Sequence, residues 1–183
     1  MQMFLLLGAE RDGLALLELA IRRQRALAWG GDLDFALEWD ECCAARGALA
    51  RAVIAGVRAG DARPFGGALH DRYDVALRAW PHARFVYLAR GAPREAQQWP
   101  RLRASERAWR NVACEIAPER RLELRYERLV GDFAAQLARL GGFLGIDFAL
   151  SGGRSEAATR AHAAAPHLFA RAFGVRVARM LGE

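Results

Sequence analysis

Apolar and polar positions along this chain switch repeatedly between two periods. Met3-Phe4-Leu5-Leu6-Leu7 is a short apolar run ending at Gly8, the pattern of a strand buried on both faces of a parallel sheet. From Arg11 the spacing changes, and Leu14, Leu17 and Ile21 recur at helical intervals. Ala26 to Trp29 predicts a second short strand before a Gly30-Gly31 turn. Asp32 or Asp34 then caps a helix whose stripe is Phe35, Trp39, Cys42, Leu49, Val53 and Val57, ending near Gly60.

Pro64 to Leu69 reads as an edge or inner strand, and Asp71 as the cap of a short helix through Trp80, with Pro81 as its stop. Arg84 to Leu88 is the clearest strand, followed by Arg90 and a Gly-Ala-Pro turn. A helix follows; Pro100 breaks it, and a second helix carries Trp109, Val112 and Ile116. Leu122 to Tyr126 alternates as a strand does. One amphipathic helix then presents Leu129, Phe133, Leu137, Leu140 and Phe143, closed by Gly145. Ser151-Gly152-Gly153 reads as a loop, and Glu156 to Leu181 as mostly helix interrupted at Pro166. Trp80, Trp99 and Trp109 are expected as core anchors.

Strands alternating with helices imply a three-layer α/β/α domain with a mostly parallel sheet of about five strands. With 183 residues and no repeat or linker, residues 1–183 fit a single domain. Ligands of such sheets bind at the C-terminal strand ends, here the loops Gly8–Gly13, Leu69–Asp71 and Arg90–Glu95.

Composition narrows this picture. An apolar share of 53% with 26% charged residues is that of a soluble globular chain. The N-terminal apolar run is too short for a membrane span and lacks the pattern of a signal peptide, so a cytoplasmic protein is expected. Cys42, Cys43 and Cys114 offer neither a disulfide framework nor zinc spacing, and read as small buried hydrophobes on helices. No metal is expected. The net charge is +6, and all 27 basic residues are arginine. Arginine suits bidentate contact with phosphate and sulfate, although GC-rich coding also accounts for the bias. The arginines are interspersed with acids and no nucleic-acid-binding signature occurs, so nucleic acid is not an expected partner.

Three segments in order resemble the sulfotransferase family, whose members move a sulfuryl group from 3′-phosphoadenosine-5′-phosphosulfate (PAPS) to a hydroxyl or amine. Phe4 to Leu17, through Gly8-Ala-Glu-Arg-Asp-Gly13, is similar to the family's 5′-phosphosulfate loop. Trp80-Pro-His-Ala-Arg-Phe-Val-Tyr-Leu-Ala-Arg90, with Pro93-Arg94-Glu95, resembles its 3′-phosphate segment. Leu124-Arg-Tyr-Glu-Arg-Leu-Val-Gly-Asp132 and Phe143-Leu-Gly145 resemble its Tyr-Glu and Phe-Leu-Gly segment.

The resemblance implies a P-loop-type sulfotransferase fold and a role for each matching position. Gly8, Arg11, Asp12 and Gly13 form the phosphate loop, with Gly13 letting backbone N–H groups face the anion. Arg90 takes the place of the 3′-phosphate arginine, with Gln98 as its companion. Tyr126 takes the place of the tyrosine that reaches toward adenine. His70, in Ala68-Leu69-His70, matches the general base. Each position also has a plainer reading: Arg11 as an ion pair with Glu10 or Asp12, Tyr126 as core, His70 as a polar strand end, and Glu127 as a tie between loops.

The match departs from the family where the chemistry is most demanding. Residues 1–104 contain no serine, threonine or lysine. Asp12 stands where the loop has a serine, and an acid about 4 Å from the donor's anionic end costs roughly 1–4 kcal/mol. Ala68 replaces the cation that supports the transferring group. The Arg90–Pro93 turn carries one extra residue, and the C-terminal Arg-Lys-Gly loop is missing unless Ser151-Gly-Gly-Arg154 substitutes for it. Two readings stay open: an active PAPS-dependent enzyme, or a catalytically degenerate relative serving as a binding or regulatory partner. An ordinary P-loop nucleotide kinase is disfavoured because the chain has no lysine. The acceptor is a small molecule or a protein, and a homo-oligomer or protein partner fits either reading.

Overall fold

The computed structural model describes residues 2–9, 13–34, 36–37, 48, 51, 54–55, 60–91 and 99–148. Five strands form one sheet: β1 (Met3–Leu7), β2 (Ala28–Asp32), β3 (Phe65–Leu69), β4 (Arg84–Ala89) and β5 (Arg121–Arg125). Their order is β2-β3-β1-β4-β5, and every pairing is parallel. Helices α1 (Leu14–Arg22), α2 (Tyr73–Ala79), α3 (Trp99–Ala113), α4 (Tyr126–Gly131) and α5 (Phe133–Leu144) connect and cover it. This is the α/β architecture that the alternating periods predicted.

Alternation along each strand divides the core in two. Phe4, Leu6, Val86, Leu88 and Leu124 pack against Leu17 and Ile21 of α1 and Leu137 and Leu140 of α5. Leu5, Leu7, Phe85 and Tyr87 face the opposite way, toward Tyr73, Trp80 and Trp109 of the second layer. Burial of both faces explains why β1 reads as an unbroken apolar run. Trp80 and Trp109 are core residues, at 7% and 4% exposure, while only the backbone of Trp99 is described.

Several local expectations are corrected. Gly30 and Gly31 belong to β2 and do not form a turn after it. Gly31 has φ +77° and the register shifts between Trp29 and Asp32, so the pair forms an irregularity in the edge strand. Pro64–Leu69 yields an inner strand, β3, paired on both sides. Asp71 does not cap α2: Arg72 holds the N-cap position at φ 55° without a side-chain cap bond, and Asp71 pairs with its guanidinium at 3.5 Å. Pro100 sits in the first turn of α3, where its missing N–H costs nothing. The helix expected from Leu129 to Phe143 is two helices, because Asp132 caps α5 by accepting the Ala135 N–H at 3.1 Å. Gly145 closes α5 in the left-handed conformation, as the pattern predicted. Cys114 is exposed and not buried, since it lies just past the end of α3 and donates to the Asn111 carbonyl. Cys42 and Cys43, the stripe from Phe35 to Val57 and everything expected beyond Phe148 lie outside the described residues.

Candidate functional site

The order in which strands are added to the sheet reverses between β1 and β4. From β1 the chain leads through α1 to β2 on one side, whereas β4 leads through α3 to β5 on the other. In open α/β sheets such a divergence forms the ligand crevice at the C-terminal strand ends, here those of β1 and β4. Two groups of side chains flank it.

The first group forms at the β4 and β5 ends. The Arg90 guanidinium lies over the Tyr126 ring, 4.5 Å from its centroid. The same ring covers Gly13, the N-cap of α1, where an added Cβ would lie 2.3 Å from ring carbons. Gly13 is also at φ +94°, so both backbone and neighbour demand glycine. Stacking engages the face of a guanidinium, whereas its hydrogen bonds are made in the plane of the group. Glu127 accepts the Gly91 N–H at 2.9 Å and ties the turn after β4 to α4. That is the linking role expected of it.

The second group forms at the β1, β2 and β3 ends around half-buried His70. Its Nδ1 lies 3.3 Å from the Gly8 carbonyl oxygen. A carbonyl only accepts, so Nδ1 carries a hydrogen, and in the neutral ring the lone pair is then on Nε2. The His70 N–H donates to Asp34 Oδ2 at 3.0 Å, and the Tyr73 hydroxyl donates to the His70 carbonyl at 3.3 Å. Ser105 Oγ lies 2.9 Å from that hydroxyl and 3.5 Å from the Tyr87 hydroxyl. With Tyr73 donating to His70, the chain of donation runs Tyr87 to Ser105 to Tyr73 to His70. Burial pushes the Tyr73 hydroxyl above its ordinary range, so it stays a neutral donor. Asp32 Oδ1 accepts the Asp34 N–H at 2.8 Å and fixes the turn that carries Asp34.

Burial raises the Asp34 carboxyl from 3.8 to about 6; the His70 N–H and ring act against that rise, and Asp32 and Asp71 add to it. Asp32, Asp34 and His70 offer oxygen and nitrogen atoms within 4.8 Å of one another. One oxygen of each carboxylate and Nδ1 of His70 are already engaged in hydrogen bonds. The set therefore braces the ends of β2 and β3.

Of the residues expected from sequence, Gly8 and His70 meet on one side of the crevice, and Gly13, Arg90 and Tyr126 on the other. Arg11, Asp12 and Gln98 lie outside the described residues. Tyr126, expected either in the core or at a nucleotide, is half-buried, packs on the α1–α5 core and carries Arg90. Asp34, Tyr73 and Ser105 were not anticipated as supports of His70. The potential Asp34 cap was the only local signal. A cavity of about 140 Å³ opens beside Arg90, lined by Tyr87, Leu102, Glu106, Glu123 and Arg125. A larger groove of about 650 Å³ lies at the other end of the sheet, beside Arg22, Ala28 and Arg63, away from this chemistry.

The fold is that of sulfotransferase domains. The sulfotransferase domain from the olefin synthase of Synechococcus PCC 7002 superposes with a TM-score of 0.60 at 17% identity, covering 85% of this chain and 78% of that one. The sulfotransferase domain from the curacin biosynthetic pathway gives 0.57 at 15%, covering 86% and 82%. Mouse sulfotransferase SULT7A1, solved as a complex with PAP, gives 0.53 at 13%, covering 87% of this chain and 64% of that protein. No protein-family model matches the sequence, and no curated protein matches it significantly. No described helix is long and apolar enough to cross a membrane.

Proposed function

We propose that this domain binds a 3′-phosphoadenosine nucleotide in the crevice between β1 and β4. There it transfers a sulfuryl group from PAPS to a hydroxyl or amine acceptor, with His70 as general base. The observation that carries the reading is convergence. A stacked arginine and an anion-compatible helix start lie on one side of the β1 end, and an imidazole oriented by a carbonyl lies on the other. The mouse sulfotransferase of like fold was solved with PAP, the spent form of such a donor.

In this reading Arg90 holds the 3′-phosphate with Gln98, and the Tyr126 ring sets the guanidinium plane. The loop from Gly8 through Arg11 and Asp12 to Gly13 faces the 5′ end. As the acceptor oxygen or nitrogen bonds to sulfur, the bond from sulfur to the donor's phosphate oxygen breaks. The acceptor's proton passes to Nε2 of His70. One observation favours a second reading, a nucleotide binder without turnover. Ala68, where the family carries its cation, is 1% exposed within the core.

Calorimetric titration with PAP tests the site. Binding that weakens at least about tenfold in Arg90→Ala is expected, the loss of one charge-assisted contact. No binding at high micromolar PAP rejects both readings. Binding without consumption of PAPS selects the second.

A further inference from the structure

We infer that Asp34 is the positioning residue for His70, holding it at the end of β3 and presenting a carboxylate to the imidazole that takes the acceptor's proton. The inference rests on the transfer reading above. Its basis is geometric. One Asp34 oxygen accepts the His70 N–H at 3.0 Å. The other is buried and makes no hydrogen bond with protein. Carboxylate and imidazole atoms of the two residues lie within 4.8 Å. Asp32 in turn fixes the Asp34 backbone, while Gly8 and Tyr73 hold the ring and the carbonyl of His70.

This arrangement has a consequence for the proton-transfer step. The acceptor's proton moves to Nε2, and Nδ1–H stays on the Gly8 carbonyl. The ring becomes an imidazolium beside a carboxylate that itself takes up no proton. Opposite unit charges at that separation favour the charged ring by a factor of about 4 in water and a few hundred at a surface-like dielectric. Asp32, Asp71 and Tyr73 are the other titratable neighbours that act on this pair. Burial holds the Asp34 carboxyl near 6, so the carboxylate is present above about pH 6 and lost below it.

The test combines kinetics with a readout independent of turnover. Asp34→Asn keeps an oxygen for the His70 N–H and removes the charge. Above about pH 6 its kcat should fall by about 4-fold or more with little change in KM, and the deficit should fade at lower pH. In parallel, the Asp34 carboxyl is titrated by carbon NMR in the parent and in His70→Gln. Its midpoint should rise by at least about half a pH unit when the ring is removed. A midpoint that stays within about 0.2 unit, or a kcat deficit equal at all pH values, overturns the role of Asp34. A folded parent that never consumes PAPS overturns the transfer reading instead, whatever the titration shows.

Discussion

Replacing Asp34 with asparagine should relieve the fold of a cost that grows toward neutral pH, even as it slows the proposed chemistry. The carboxyl titrates near 6 in the fold against an ordinary 3.8, and burial is the main cause. A raised value means that the folded protein holds this proton more tightly than the unfolded chain. The resulting stability is full below pH 3.8 and is lost as pH rises through about 6. At neutral pH the charged carboxylate therefore costs the fold about 3 kcal/mol at 1.36 kcal/mol per pH unit. Solvent reaches the half-buried side chain, which reduces this to about 1–2 kcal/mol.

Asparagine keeps the acceptor for the His70 N–H and removes the charge. Its amide N–H₂ lands where Asp34 Oδ1 makes no hydrogen bond with protein, a fixed cost of about 1 kcal/mol that does not vary with pH. The clean quantity is therefore the difference in Tm between variant and parent, compared at two pH values. Thermal unfolding followed by circular dichroism should show that difference growing by about 3–6 °C between about pH 4 and about pH 7.5. A difference that is constant across this range, or that shrinks toward neutral pH, refutes the reasoning. If stability rises while kcat falls, the carboxylate is kept at a cost to the fold, as expected of a functional group.

Two further substitutions probe the rest of the crevice. Gly13→Ala puts a Cβ 2.3 Å from the Tyr126 ring at φ +94°; thermal melts should show a loss of about 1–3 kcal/mol, and PAP titration should show weaker binding because Arg90 rests on that ring. Ser105→Ala removes the hydroxyl between buried Tyr73 and Tyr87. Urea unfolding should register about 1–3 kcal/mol of lost stability, and PAP affinity should be unchanged, since the chain of hydroxyls leads to His70 and not to Arg90.

Much of the scaffold was legible because its signals are local. The apolar run Met3–Leu7 and the strand before Arg90 announce themselves by period alone, and Gly145 ends a helix as its conformation requires. Errors came where one residue was ambiguous at short range. Asp132 looks like a surface position within one long amphipathic stripe, yet its carboxylate starts a new helix. Gly30-Gly31 looks like a turn, yet pairing with β3 draws it into the sheet. In the crevice, His70, Arg90, Gly13 and Tyr126 were reached through family resemblance, and His70 and Tyr126 each had a plain structural alternative.

By itself the sequence determined that strands and helices alternate, where most of them lie, and that loops at strand ends carry the polar candidates. Those properties follow from side-chain periodicity, which each segment expresses without reference to its neighbours. Only the tertiary structure decided which candidates meet. Strand order sets β1 between β3 and β4, and so puts the Gly8 carbonyl beside the His70 ring and the Tyr126 ring between Gly13 and Arg90. Asp34 became a partner of His70 because β2 and β3 pair side by side and end together. A polar side chain's role depends on the groups it meets, and those groups are distant in the chain, so no local pattern encodes it.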